Sequence, residues 1–405
     1  MSLLPVESAL FRVLATLKTV DRHKSLRVDL MAALHHILAE DITATINVPG
    51  TDNSAMDGYA LRLADTGKPL PISQRIPAGT IGTTLQPGTA ARIFTGATIP
   101  DGADAVVMQE NCQVVDGTVI VGGSLSQYQN IRPKGQDVAL GDLVLAAGRR
   151  LRPQDLGLLA SVGVSRVLVY KPLKVAILST GDELVDPESL APGTALGEGQ
   201  LFNSNRYTLA GLLRGLNMEV LDCGIVPDNA SATALALKAA AEHADCVISS
   251  GGVSVGEEDH VKAQVEKLGQ LQLWKLAIKP GKPLAFGHIG DTPFFGLPGN
   301  PTSVFVTFCL IARPFLLQLQ GVVEPENLSL FATAEFTNGR SGVRQEYRRV
   351  LVRSTSDGLQ AQAFPNQSSG VLSSVSHSNA LAVIPPRVLV EEGDTVEIIL
   401  LDQLS

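Results

Sequence analysis

The stretch from Ser249 to Pro301 concentrates residues able to do chemistry: it reads SSGGVSVGEED, then WKLAIKPGKP, then FFGLPGNP. Glycine lets backbone N–H groups approach an anion, and lysine adds positive charge. Asn300 is expected to cap an apolar helix opened by Pro301, and a helix start also attracts anions. Glu257, Glu258 and Asp259 lie between these loops. Carboxylates beside anion-binding loops point to a phosphate-bearing ligand handled with a divalent cation.

Asp182, Glu183, Asp228 and Asp259 each fall at a predicted strand or loop end. Helix capping and solvation account for most such residues. Convergence on one face favours a Mg²⁺ site, because Mg²⁺ takes a few carboxylates together with substrate phosphate. Lys275, Lys279 and Lys282 occur within a Pro/Gly frame that fixes the backbone, which favours a dedicated anion pocket over a solvated face. Gly252 to Gly256 matches the G-x-S-x-G elbow of serine hydrolases, with Asp259 or Asp291 and then His377 in chain order. Gly251-Gly252 separates Ser254 from its strand, which favours a phosphate cradle over a nucleophile. Both Gly-Lys pairs, at Lys68 and Lys282, run into proline, so neither belongs to a P-loop. The polar turn from Asp52 to Tyr59 reads by itself only as an Asx-type loop.

The elements that must position these residues show as changes of hydrophobic period. Leu10, Val13, Leu14 and Leu17 mark one opening helix; Leu30, Met31, Leu34, Ile37 and Leu38 mark a second, which carries His35 and His36. Residues 47–145 alternate short β-like runs with turns, a β-rich insertion. Arg152 to Gly163 is helical. From Leu173 the chain alternates strands (174–179, 219–226, 245–250, 274–278) with helices (206–216, 231–243, 260–268, 302–319). That rhythm predicts a mostly parallel sheet covered on both faces, with its ligand beyond the carboxyl ends of the strands. The expected fold is a multidomain α/β plus β chain. Residues 1–46 and 146–172 form a helical linker domain, 47–145 the inserted β-rich domain, 173–321 a doubly wound βα domain, and 322–405 a small C-terminal β domain.

A chain of 405 residues is expected to form several domains. Its 45% apolar and 18% charged composition is globular. Aromatic content of 4% and a net charge of −8 argue against nucleic acid as a partner. Cys112, Cys223, Cys246 and Cys309 lack C-x-x-C spacing, which argues against a zinc or disulfide framework and for reduced thiols. The start lacks a basic-then-apolar signal, and the apolar run from Val304 to Ala312 is too short to cross a bilayer. A cytoplasmic location without a membrane is therefore expected.

Seven segments occur in order: VPGTDNSAMDGYA (48–60), IFTGATIPDGADAVVMQE (93–110), IRPKGQD (131–137), LSTGDEL (178–184), SSGGVSVGEED (249–259), WKLAIKPGKP (274–283) and GLPGNP (296–301). Together they resemble the MoeA and gephyrin E-domain family of molybdopterin molybdenumtransferases, nearly end to end. The resemblance implies a molybdopterin-binding type of central domain and an elongated homodimer with four domains per subunit. It also implies a reaction in which adenylylated molybdopterin and molybdate give molybdenum cofactor and AMP, with Mg²⁺ as cofactor. It assigns Asp57, Asp137, Glu183, Asp228 and Asp259 as catalytic acids, with Glu183, Asp228 and Asp259 as metal ligands. Thr95 and Arg132 line the cleft. Ser254, Lys275 and Lys279 face the pterin nucleotide and its phosphate. Lys279, Lys282, Ser303, Arg344 and Ser374 form the oxyanion pocket. Molybdopterin adenylyltransferase and molybdoenzyme maturation factors are implied as further protein partners. Two departures stand out: His35-His36 replaces a frequent Gly-Arg, and the Pro/Gly-rich loop from Asp186 to Gln200 follows LSTGDEL.

Molybdopterin adenylyltransferase is the competing enzyme reading, because the βα section alone resembles it; DNSAMDGYA and IRPKGQD argue against it. A hydrolase using Ser254 and a non-enzymatic scaffold are weaker. Molybdate and tungstate, near-identical oxyanions, are not separable by sequence. The resemblance further implies that each active site takes residues from both subunits of the dimer. Inactive Asp57→Ala and Asp259→Ala chains, mixed and allowed to exchange, should then recover roughly a quarter of wild-type activity, since about half of the dimers are mixed and each carries one intact site. Verified exchange without recovery would show that one chain builds the whole site.

Overall fold

The structure, a computed structural model, describes residues 3–17, 24–252, 260–323, 329–339 and 342–404. Two compact units divide the chain. One comprises Met1–Leu26, His35–Ile37 and Tyr170–Ser405, and the other Arg27–Leu34 and Leu38–Val169.

In the first unit a six-stranded sheet runs in the order Glu219–Val226, Lys174–Thr180, Cys246–Ser250, Thr292–Leu297, Pro283–Ile289, Gly269–Lys275. The first four are mutually parallel, and the last two add an antiparallel edge. The central strands are continuous apolar runs, as burial on both faces requires. Helices Ser204–Gly215, Ala230–His243 and His260–Leu268 are amphipathic covers. A helix from Pro301 to Leu319 completes the core, with a π segment at Phe308–Ala312. It is long and apolar enough to cross a membrane, but 83% of its most apolar window is buried inside the fold. Phe286, Phe295 and Phe315 form the aromatic centre, with ring centroids 5.0–5.7 Å apart. The Val6–Leu14 helix buries Val6, Ala9 and Val13 in the same cluster.

Five C-terminal strands close on themselves in the order Gln345–Thr355, Gly358–Ala363, Leu330–Ala334, Thr395–Leu400, Ala380–Ile384 and back to the first, a small barrel. The second unit holds a six-stranded sheet ordered Ala105–Met108, Gly58–Leu61, Ala90–Ile93, Leu70–Ile76, Thr118–Val121, Cys112–Val115, and the helix Pro153–Ser161. Its strands are short and turn-rich, as the alternation of apolar and Gly/Pro/Asp residues predicts.

The second opening helix does not form. Leu30–Ala32 is one 3₁₀ turn, and His35 has φ +65°. Met31 is 94% exposed, whereas Leu38 is fully buried in an extended bridge to Val169. Apolar spacing alone suggested a helix, but backbone pairing of Leu38 with Arg149 and Val169 wins. The Trp274–Ile278 strand likewise divides: Gly269–Lys275 belongs to the large sheet, and Ile278–Lys279 pairs with Gln345–Glu346.

Phe295 is fully buried. Phe295→Ala should cost its unit about 3–5 kcal/mol in urea unfolding, while a truncation at the 64%-exposed Phe331 should cost under about 0.5 kcal/mol. Equal costs would contradict this assignment of the core.

Candidate functional site

In the second unit three motif segments interlock through backbone bonds. Ser54 N–H donates to Ala97 O (2.9 Å), Gly96 N–H to Ser54 O (2.8 Å) and Ile99 N–H to Asp52 O (2.9 Å). Asn53–Ser54 pairs antiparallel with Ile131–Arg132, and Ala55 N–H donates to Asn130 O. Asp137 N–H donates to Val48 O (2.9 Å), and Lys134 N–H to Asp52 Oδ1 (2.7 Å). Thus 48–60, 93–99 and 130–137 form one cluster carrying Asp57, Thr95, Arg132 and Asp137. The last three are exposed and Asp57 is half-buried. Gly58 has no room for a side chain: a first carbon there would lie 1.8 Å from Val107 O. That close approach fixes where the chain leaves Asp57.

Thr95 donates twice to Asp57 Oδ1, from its backbone N–H and from its hydroxyl, each at 2.8 Å. The amide and then the hydroxyl hold the Asp57 carboxyl below the usual range; desolvation opposes them, and the Arg92 charge adds to them. Asp57 is therefore an ionised acceptor at neutral pH.

In the first unit the parallel registers align the ends of four strands, since Thr180 pairs with Val226, Ser179 with Ser250, and Ser250 with Leu297. Gly181–Glu183, Pro227–Asn229, Gly251-Gly252 and Pro298–Asn300 leave from this one edge. Asp182 Oδ1 accepts from Asp228 N–H (3.2 Å), joining two of these turns, and the Glu183 carboxylate folds back against Gly181. Asp182, Glu183 and Asp228 are all exposed. Behind them, Asn203 Oδ1 caps the Ser204–Gly215 helix by accepting from Arg206 N–H, and also accepts from Ser179 Oγ. Arg206 is ion-paired with both Asp186 and Asp222, and Tyr207 donates to Asp186. These bonds tie down the loop that follows Glu183.

Lys275 ends its strand at the same edge, opposite Pro283. Leu4 brackets the next residues, donating to Lys275 O and accepting from Ala277 N–H. Between them the turn Lys279–Lys282 is seated on the Pro301–Thr307 helical turns. Gly281 has φ +100°, and a side chain there would meet Thr307 Oγ1 at 2.6 Å. Lys282 is exposed. Lys279 is 48% exposed, and its Nζ lies 3.2 Å from Glu346 Oε1, an oxygen shared with Arg348. Arg344 donates to Ile278 O (3.2 Å). Ser303 is buried in the first turn of the helix.

Ser374 is fully buried, and its hydroxyl is engaged: it accepts from Arg349 Nε (3.0 Å) and donates to Val371 O (2.6 Å). Asn300 makes no side-chain cap bond, unlike the sequence expectation. Instead Thr302 N–H donates to Ser369 O, and the Thr302 hydroxyl to Val371 O, tying the helix start to the C-terminal barrel. Sequence reasoning missed Arg349, a guanidinium only 1% exposed that donates to Ser374, Tyr347 O and Ser368 O. Burial pushes it down to about 10, so it stays charged at neutral pH. The available signal was Arg348-Arg349 inside an apolar strand run, where alternation turns one arginine inward.

Ser254 and Asp259, with Glu257, Glu258 and most of the G-x-S-x-G motif, lie outside the described residues. Among the described residues no three His, Cys, Asp or Glu side chains are clustered as metal ligands. All four cysteines are free, and burial pushes the Cys309 thiol up to about 12 and Cys246 further still, so neither is a nucleophile at neutral pH.

Residues 4–163 match the family profile of the MoeA N-terminal region (domain I and II), 176–318 that of a probable molybdopterin binding domain, and 336–401 that of the MoeA C-terminal region (domain IV). The chain is 43% identical over 378 residues to a molybdopterin molybdenumtransferase of Haemophilus influenzae, covering 92% of each protein. It is 38% identical to another from a Nostoc species, over 88% of this chain and 84% of that one. A crystal structure of the molybdopterin biosynthesis MoeA protein of Pyrococcus horikoshii superimposes with a TM-score of 0.83 at 30% identity, covering 98% of this chain and 100% of the other.

The two Thr95 bonds make a direct prediction. Followed by carbon-13 NMR, the Asp57 carboxyl should titrate below the reference of about 3.9, and Thr95→Val should move the midpoint upward. Because the folded-state value is depressed, the bond adds stability above the unfolded midpoint and loses it as pH falls through the folded one. An unchanged midpoint in Thr95→Val would show that the hydroxyl bond does not form in solution.

Proposed function

This chain belongs to the MoeA family of molybdopterin molybdenumtransferases, and from that premise we propose that it inserts molybdate into adenylylated molybdopterin and releases AMP. Its place is molybdenum cofactor biosynthesis. The observation that carries the chemistry is the sheet edge of the first unit, where Asp182, Glu183 and Asp228 share one side with Lys275 and the Lys279–Lys282 turn. Both substrates are anionic, one a tetrahedral oxyanion and the other a phosphoanhydride. Lysines held by a Pro/Gly frame suit such charge without reorganising.

Glu183 and Asp228 are exposed, hard oxygen donors on adjacent turns. Mg²⁺ needs only one or two carboxylates beside substrate phosphate and water, so this donor set fits it, with Asp259 as a third ligand. When bound, Mg²⁺ supplies charge neutralisation at the phosphoanhydride. Lys275 and Lys279 hold the nucleotide phosphate. Lys279, Lys282, Ser303 and Arg344 surround the oxyanion. Ser374 supports that pocket from behind, because its hydroxyl is already engaged. Asp57 offers an ionised acceptor of fixed direction, and Thr95, Arg132 and Asp137 stand on the same loop cluster. Ser254 binds phosphate and does not attack. The working form is a homodimer in the cytoplasm.

AMP release from adenylylated molybdopterin should require both a divalent cation and molybdate. Lys279→Met should raise the KM for molybdate by about tenfold or more, the value of one charge-assisted hydrogen bond. Formation of adenylylated molybdopterin from ATP as the main activity would show an adenylyltransferase instead. Stoichiometric labelling of Ser254 by a serine-directed reagent would favour the hydrolase.

A further inference from the structure

We propose that Arg92 is a positioning residue that sets the direction of the Asp57 carboxylate. Its guanidinium spans the segments that bracket Asp57. One arm, Nη1, donates to Gly58 O (2.9 Å), the carbonyl directly after Asp57, and more weakly to Ile93 O (3.4 Å). The other, Nη2, donates to Gln109 Oε1 (2.6 Å), and Gln109 N–H donates to Asp57 O (3.0 Å). The backbone of Asp57 and Gly58 is thus held from both sides. Thr95, three residues after Arg92, takes Oδ1 of the same aspartate. Oδ2 is left without a hydrogen bond among the described residues, as an acceptor for a ligand N–H or O–H donor.

Sheet stability does not explain this arginine. Arg92 stands directly opposite Arg75 across the parallel ladder, and like charges so placed repel. Neither has a carboxylate within ion-pair distance among the described residues. The charges are accommodated by π faces instead: both guanidiniums lie 4.5 Å from the Phe94 ring centroid, and Arg92 also lies 5.2 Å from Tyr59. Phe94 precedes Thr95, and Tyr59 follows Gly58. The stack therefore fixes the two segments that the hydrogen bonds also fix. Only a planar fork can send two arms to Gly58 O and Gln109 Oε1 while lying flat on a ring, so lysine is no substitute.

The proposal rests on the reading of Asp57 as an active-site acid, and the test separates the two. AMP release is measured for wild type, Asp57→Asn, Arg92→Lys and the double variant, each with its melting temperature. Arg92→Lys should lower kcat/KM by about tenfold or more when Asp57 is present and by less than about twofold when it is Asn, because a residue acting through another loses its effect with it. Gln109→Leu, which removes the acceptor of one arm, should show the same coupling and serves if Arg92→Lys melts early. Independently of turnover, the Thr95 amide should exchange with solvent about tenfold faster in Arg92→Lys, because its carboxylate acceptor is no longer held. Equal losses in both backgrounds, no loss at all, or unchanged Thr95 exchange would overturn the proposal. A fully active Asp57→Asn would instead overturn the reading of Asp57.

Discussion

The register of four parallel strands is the constraint on which the first unit's chemistry depends. Pairing Thr180 with Val226 and Ser250 with both Ser179 and Leu297 places four turns on one line. The ladder between Lys174–Thr180 and Glu219–Val226 shifts register once, between Ile177 and Ser179, and the pairing after that shift is the one that aligns Thr180 with Val226 at the edge. Short-range polar bonds can then refine the edge, as when Asp182 holds Asp228. The antiparallel pair Gly269–Lys275 and Pro283–Ile289 extends the sheet and brings the lysine turn to the same line.

That turn is held by three neighbours distant in sequence. Leu4 pins Leu276 from one side, Gln345–Glu346 pairs with Ile278–Lys279 on the other, and Gly281 rests on Thr307 below. The lysines therefore sit on a rigid frame, as electrostatic stabilisation requires. Glu346, 8% exposed, is flanked by Lys279 and Arg348. It orients Lys279 while sharing its oxygen with a second cation, so the pocket keeps a net positive charge. The second unit uses a different device: its carboxylate accepts from the amide and hydroxyl of Thr95, on a cluster of three turns joined by backbone bonds.

Much of this was legible in the chain. The apolar runs at 174–180, 219–226 and 246–250 each end at a glycine or proline, the helix at 230–243 is rich in alanine, and the helix at 260–268 has a clear amphipathic period. Three classes of feature were not legible. The hairpin Pro283–Ile289 and Thr292–Leu297 hides in a stretch rich in Gly and Pro, whose strand character comes from its neighbours in the sheet. The segment from Leu30 to Leu38 has helical spacing, but its fate is set by pairing with residues more than 100 positions away. The partners of Lys279 and Ser374 lie in the C-terminal barrel, 67 and 25 residues distant, and nothing local announces them. Asp57 and Thr95 were placed together only by resemblance; their bond depends on a turn geometry that the sequence does not spell out.

The central claim is that a rigid lysine turn at the strand-end edge binds the oxyanion, and Gly281 tests it most directly, because substitution there displaces the frame without removing any charge. The KM for molybdate in AMP release should rise by about tenfold or more in Gly281→Ala, corresponding to roughly 1.4 kcal/mol of lost binding. Here the new side chain would press on Thr307 at a backbone angle that disfavours it. An unchanged KM in a folded Gly281→Ala protein would contradict the account, because the turn would then have moved without consequence for the anion.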